Sequence, residues 1–282
     1  MSQWSGLKIV CLNLVMVSAL VFGSDRAFDQ SSEIDFSKLQ MTFREDFDDT
    51  LSVSPWGPNT RWIAHTPWAG DFGDAAFADP RLGVFPFTLD GGILRIEARK
   101  NDKGKWESGL LASADSSGRG FSQQYGYFEM RAKLPKGPGV WPAFWLGSIV
   151  DKTAPASVEI DVLEFYGHSP AAYQNNIIVY HTNPADAGAS DIDKKLLPHE
   201  VKVAPDQLSN DFNTYGAMVT REWITFYLNR HEVFRIKTPK EHQRPLHVLL
   251  NLALGSGWPI DRTPNPSFMY VDYVHVYKMI EE

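Results

Sequence analysis

The sequence predicts an all-β protein, a two-sheet β-sandwich of the jelly-roll kind. Three observations carry this. Short runs alternate apolar and polar residues and are rich in β-branched and aromatic side chains. Clusters of Gly, Pro, Asn and Asp separate these runs. No stretch keeps a helical period for more than a few turns.

Taken in order, the chain opens with a targeting segment. Lys8 precedes Ile9 to Phe22, an apolar run interrupted by Asn13 and Ser18 and followed by Gly23 and Ser24. That length suits the hydrophobic region of a signal peptide and is short for a membrane span. The expectation is a signal peptide over 1–23, cleaved after Gly23, with Ala27 as the second choice. The exported protein is then secreted or periplasmic, with no membrane association after cleavage. The only cysteine, Cys11, lies in this segment, so a mature chain would carry no thiol. A polar, mobile lead-in is expected over 24–40, and the working domain over 41–282.

Within that domain, alternation marks strands at Leu94–Ala98, Tyr127–Lys133, Ile224–Leu228 and Tyr270–Tyr277. Breaks fall at Asp90–Gly92, Asn101–Gly104, Pro135–Gly139 and Asn229–Arg230. The stretch 183–210 is polar and is expected to be a long loop with a short helical turn. With 282 residues, 43% hydrophobic and 22% charged, the chain suffices for one large domain. Its formal net charge of -7 argues against nucleic-acid binding, because nothing neutralises phosphates in bulk.

The chemistry concentrates in Val158-Glu159-Ile160-Asp161-Val162-Leu163-Glu164-Phe165. In a regular strand Glu159 and Asp161 share a face and Glu164 points away. One bulged residue at Val162 or Leu163 restores the parity and brings all three acids to one side. The outer Cα atoms would lie roughly 13 Å apart, so a concave sheet is needed to bring the carboxyls together. Glycoside hydrolysis requires such a set: an ionised carboxylate, a protonated carboxyl and a means of separating their pKa values. A solvated edge strand or a metal site would not place Ile, Val, Leu and Phe between the acids.

Glu159-Ile160-Asp161-Val162-Leu163-Glu164 resembles the signature of glycoside hydrolase family 16 in its bulged, laminarinase-like form. Tyr125–Gly137, Val140–Leu146, Phe212–Tyr215, Asn251–Pro259 and Val271–Tyr277 resemble the family's other motifs in the same order. The resemblance runs from about 41 to 278. It implies a curved jelly roll with an open concave cleft, and retaining endo-hydrolysis of a β-linked polysaccharide by double displacement. By position it makes Glu159 the nucleophile, Glu164 the acid/base and Asp161 the helper. β-1,3- or mixed-linkage glucan is the default substrate, with a bacterial exopolysaccharide as rival because Trp62–Asp79 departs from the common laminarinase pattern. Sulfated galactans are disfavoured, since no Arg/Lys cluster accompanies the cleft motifs. Two other readings are a transglycosylase on the same scaffold and a non-catalytic carbohydrate-binding jelly roll; the intact acid set argues against the second.

Six further residues are candidates for substrate contact. Trp141 and Trp145 share a strand face; Trp141 is expected in the cleft, and core packing is expected of one of the pair. Trp258 follows a Gly-Ser-Gly turn that would present it. Trp62 and His65 cluster with Trp68. His181 ends a strand and is expected near the acid/base. No cofactor or catalytic metal is expected. Asp46 and Asp272 are weak candidates for a structural calcium, with surface charge the preferred reading. The protein is expected to be a monomer whose partner is its polysaccharide.

Overall fold

The computed structural model describes residues 33–68, 70–151, 153–181 and 193–280. The expected signal peptide lies outside the described residues. Among the described residues the strands form two sheets, of ten and nine strands. The first runs in the order His231–Lys237, Trp223–Leu228, Asn213–Val219, Gly126–Lys133, Ser267–Met279, Ile93–Lys100, Trp106–Ser108, Ala76–Phe77. Leu39–Glu45 pairs with Ser267–Met279, and Phe87–Asp90 with Ile93–Lys100. The second runs Asp193–Leu196, Ala172–His181, Ala156–Glu164, Val140–Ser148, Leu246–Leu254, Leu110–Ala112, Trp62–Ile63, Val53–Ser54. His199–Lys202 also pairs with Ala172–His181. The crossovers between non-neighbouring strands give the jelly-roll arrangement.

Alternation determines which side chains meet between the sheets. Phe128, Met130 and Ala132 from the first sheet and Phe144, Leu146, Val158 and Ile160 from the second enter one continuous core. Burying each large side chain there contributes about 1.5–3 kcal/mol. The alternate residues Ala143 and Trp145 lie on the second sheet's other face, in a separate cluster with Ile63, Leu249 and Ala253. That face carries the acids.

Two expectations about the chain's course need correction. Strand pairing begins at Leu39, opposite Met279, two residues before the expected boundary at 41. Just upstream, Phe36 packs edge-on against Tyr127 and Tyr277 at 6.0 and 5.2 Å between ring centres. The region expected as a long loop with a short helical turn over 183–210 has the turn, as the helix Gln207–Asn210, but also contains the strands Asp193–Leu196 and His199–Lys202. These strands form on the exposed edge of Ala172–His181, where backbone pairing suffices and the apolar alternation of a core strand is not required.

Candidate active site

The strand Ala156–Glu164 is bulged at Val162. Against Val140–Ser148, Phe144 pairs with Leu163 and Trp145 with Asp161, leaving Val162 unmatched. On the other side Asp161 pairs with Asn176 and Glu164 with Gln174, leaving Val162 and Leu163 opposite the single Asn175. Val162 and Leu163 consequently both enter the core, 1% and 0% exposed. Glu164 therefore returns to the face that holds Glu159 and Asp161. The bulge leaves the Val162 carbonyl to be satisfied, and the buried Asn175 amide donates to it at 2.7 Å.

The three carboxyls differ in surroundings. Asp161 is buried between the cross-strand neighbours Trp145 and Asn176. Burial, then repulsion from Glu159 and Glu164, pushes its pKa well above the usual carboxylate range. Burial also raises Glu164, against two hydrogen bonds that favour its ionised form. These come from the Tyr166 hydroxyl and the Trp141 indole, each at 3.1 Å. Glu159 is half-buried and accepts from the Tyr180 hydroxyl at 3.3 Å. Burial and Glu159 hold the Tyr180 phenol in its protonated, donating form. Gly147 lies opposite Glu159. A Cβ at Gly147 would come within 3.0 Å of the His247 ring, so glycine here makes room for that ring. The set pairs a carboxyl inclined to hold its proton with a half-buried neighbour that accepts from a tyrosine hydroxyl, an arrangement that can supply an acid and a second carboxylate in one site.

The aromatic candidates separate by position. Trp141 is half-buried, hydrogen-bonded to Glu164 and stacked on Tyr166 at 6.1 Å and 15°. Trp258 is 49% exposed and lies on the His168 ring at 3.7 Å. Trp145 belongs to the acid-bearing face but is 5% exposed, covered by Trp68 and Phe72 and tied to Asn251 at 2.8 Å. Of the two tryptophans on this strand face it is the packed one, and Trp141 the half-buried one. Trp62 is fully buried on the opposite face, edge-on to Phe43 and hydrogen-bonded to Glu45 at 2.9 Å; it is a core residue. His65 is 7% exposed. Its ring lies between Asp71 and Asp79 at 3.3 and 3.0 Å and under the exposed Trp56 at 4.2 Å, an anchor for the surrounding loop.

His181 does not approach the acid/base. It pairs with Ala156, at the far end of the strand from Glu164, and faces Glu241 at 3.9 Å. The residues that do approach the acids, Tyr166 and Tyr180, were missed because a tyrosine in or just after a β-strand signals packing. The available signals were proximity: Tyr166 lies two residues after Glu164, and Tyr180 one before the histidine that drew attention. Asp46 and Asp272 are engaged separately, Asp46 in an ion pair with Arg44 and a hydrogen bond with His275, Asp272 in an ion pair with Arg131.

Residues 90–275 match the sequence model for glycosyl hydrolases family 16. The chain is similar to the endo-1,3-1,4-beta-glycanase ExsH of Rhizobium meliloti (strain 1021), at 31% identity over 95% of this chain and 59% of that protein. A second R. meliloti endo-1,3-1,4-beta-glycanase, EglC, is 31% identical over 88% of this chain and 54% of that protein. The chain thus spans little more than half the length of either relative. Its fold resembles that of SCLam, a non-specific endo-beta-1,3(4)-glucanase from family GH16. The TM-score is 0.67 at 23% identity, covering 88% of this chain and 95% of SCLam.

Proposed function

The chain belongs to glycosyl hydrolases family 16, and from that premise we propose that it is a retaining endo-β-glycanase working through Glu159, Asp161 and Glu164. The substrate is a β-1,3- or mixed β-1,3-1,4-linked glucan, or an exopolysaccharide with such linkages, in keeping with the activities named for ExsH and EglC. One observation carries the reading: the Val162 bulge gathers the three acids onto one face. Its apolar alternates stay in the core.

In this reading ionised Glu159 attacks the anomeric carbon. Protonated Glu164 gives its proton to the departing glycosidic oxygen, and a glycosyl ester forms on Glu159. Glu164, now ionised, takes a proton from water as the water displaces Glu159, which restores both groups and the original anomeric configuration. Tyr180 supports Glu159 as the anion. Trp141 orients Glu164, and Trp258 on its His168 support offers a sugar-stacking face.

Two variants test the roles. Glu159→Ala abolishes turnover even of an activated aryl glycoside, because no other group forms the glycosyl-enzyme. Glu164→Ala still consumes that substrate, whose leaving group needs no acid, and added azide yields the β-glycosyl azide. An α-azide from Glu164→Ala would mean that the two glutamates are reversed.

A further inference from the structure

Beside Glu159 the acid-bearing face continues into a cavity of about 420 Å³, within the range of small-ligand sites. Trp68, Ile149, Val150 and Tyr180 line it, and so does Arg244. Arg244 stands just before the strand Leu246–Leu254. It donates from its two terminal nitrogens to the carbonyls of Ile149 and Ala156, at 2.5 and 2.7 Å. Both acceptors are neutral, and among the described residues Arg244 makes no ion pair. Asp151, whose field reaches the guanidinium, accepts instead from the Thr153 backbone N–H and hydroxyl, at 2.9 and 2.7 Å.

A guanidinium has five N–H donors, so about three remain for a ligand. Half-buried cations are costly to leave without an anionic partner. The two carbonyl bonds fix the plane of the fork against the cavity wall, and a fixed fork matches a carboxylate in bidentate geometry. Trp68, 46% exposed, supplies an apolar face in the same cavity of the kind that suits a sugar ring.

We propose that this cavity selects a carboxylate-bearing sugar residue of the polysaccharide, with Arg244 as the residue that recognises the carboxylate. This rests on the glycanase reading and names the substrate class of the same site. It sets a local attraction against the protein's overall charge of -7, which repels polyanions, so any preference for acidic glycan must be local in origin.

The test compares kcat/KM on a neutral mixed-linkage β-1,3-1,4-glucan and on the same glucan lightly carboxymethylated, in wild type and in Arg244→Gln. Taking the acidic-to-neutral ratio in each protein cancels the steric cost of the substituent. The expected result is a ratio on the order of tenfold higher in wild type. Equal ratios would overturn the proposal and leave Arg244 as a clamp on the loop it bonds. Should Arg244→Gln fail to fold, wild type decides the matter alone. D-glucuronate should then inhibit hydrolysis of the neutral glucan at several-fold lower concentration than D-glucose, and equal inhibition would overturn the proposal. If wild type hydrolyses neither the neutral nor the carboxymethylated glucan, the glycanase reading itself fails.

Discussion

Glu164 is poised by opposing influences. Burial pushes its pKa up, while the Tyr166 hydroxyl and the Trp141 indole pull it down by donating to the ionised form. Removing one donor leaves burial less opposed. Tyr166→Phe should therefore move the alkaline limb of the kcat/KM profile to higher pH, because the acid stays protonated further into the alkaline range. The acid limb should hold its position. A pH–rate profile from about pH 4 to 10 reads both limbs, and an alkaline limb that moves down would contradict the stated balance. At this scale the acids were legible in the sequence because carboxylates inside an apolar strand demand a reason. The aromatics were less so. Trp62 and Trp145 look like sugar platforms by residue type. Which tryptophan is covered depends on Phe43, Trp68 and Phe72, and these arrive from elsewhere in the chain.

At the scale of the element, the catalytic strand depends on one extra residue. A regular strand would turn Glu164 into the core, burying a charge among Val158, Ile160 and Val162. Parity alone required a bulge at Val162 or Leu163, and the pairing with Val140–Ser148, which matches Leu163 to Phe144 and skips Val162, assigns it to Val162. Sequence could not choose between them because both are β-compatible apolar residues that enter the core. Nor did it reveal that Asn175, on the neighbouring strand, accommodates the freed carbonyl. Asn175→Ala removes that donor from a buried acceptor, which costs about 1–3 kcal/mol, and loosens the turn that aims Glu164. The variant should lose stability in denaturant unfolding by that amount and lose kcat more than it changes KM. Unchanged kcat with the full stability loss would show that Asn175 stabilises the bulge without setting the acid/base.

At the scale of the molecule, the two sheets divide the work. The ten-stranded sheet closes one side of the core, and the nine-stranded sheet buries one face while holding acids, floor residues and cavity on the other. The jelly-roll class was legible from alternation and turn chemistry, since period two over many short runs leaves few alternatives. The edge strands after 192 were not, because they pair through backbone at the sheet margin and carry no apolar stripe. This division makes the bulged strand the hinge of the whole account: one extra residue decides whether two glutamates can act on opposite sides of one sugar ring. A proton NMR time course on wild type with a short β-1,3-1,4-gluco-oligosaccharide tests that most directly. The β-anomer of the new reducing end should appear first, and the α-anomer should follow by mutarotation. An initial α-anomer would contradict it, because Glu159 would then have activated a water and could not have formed the glycosyl ester.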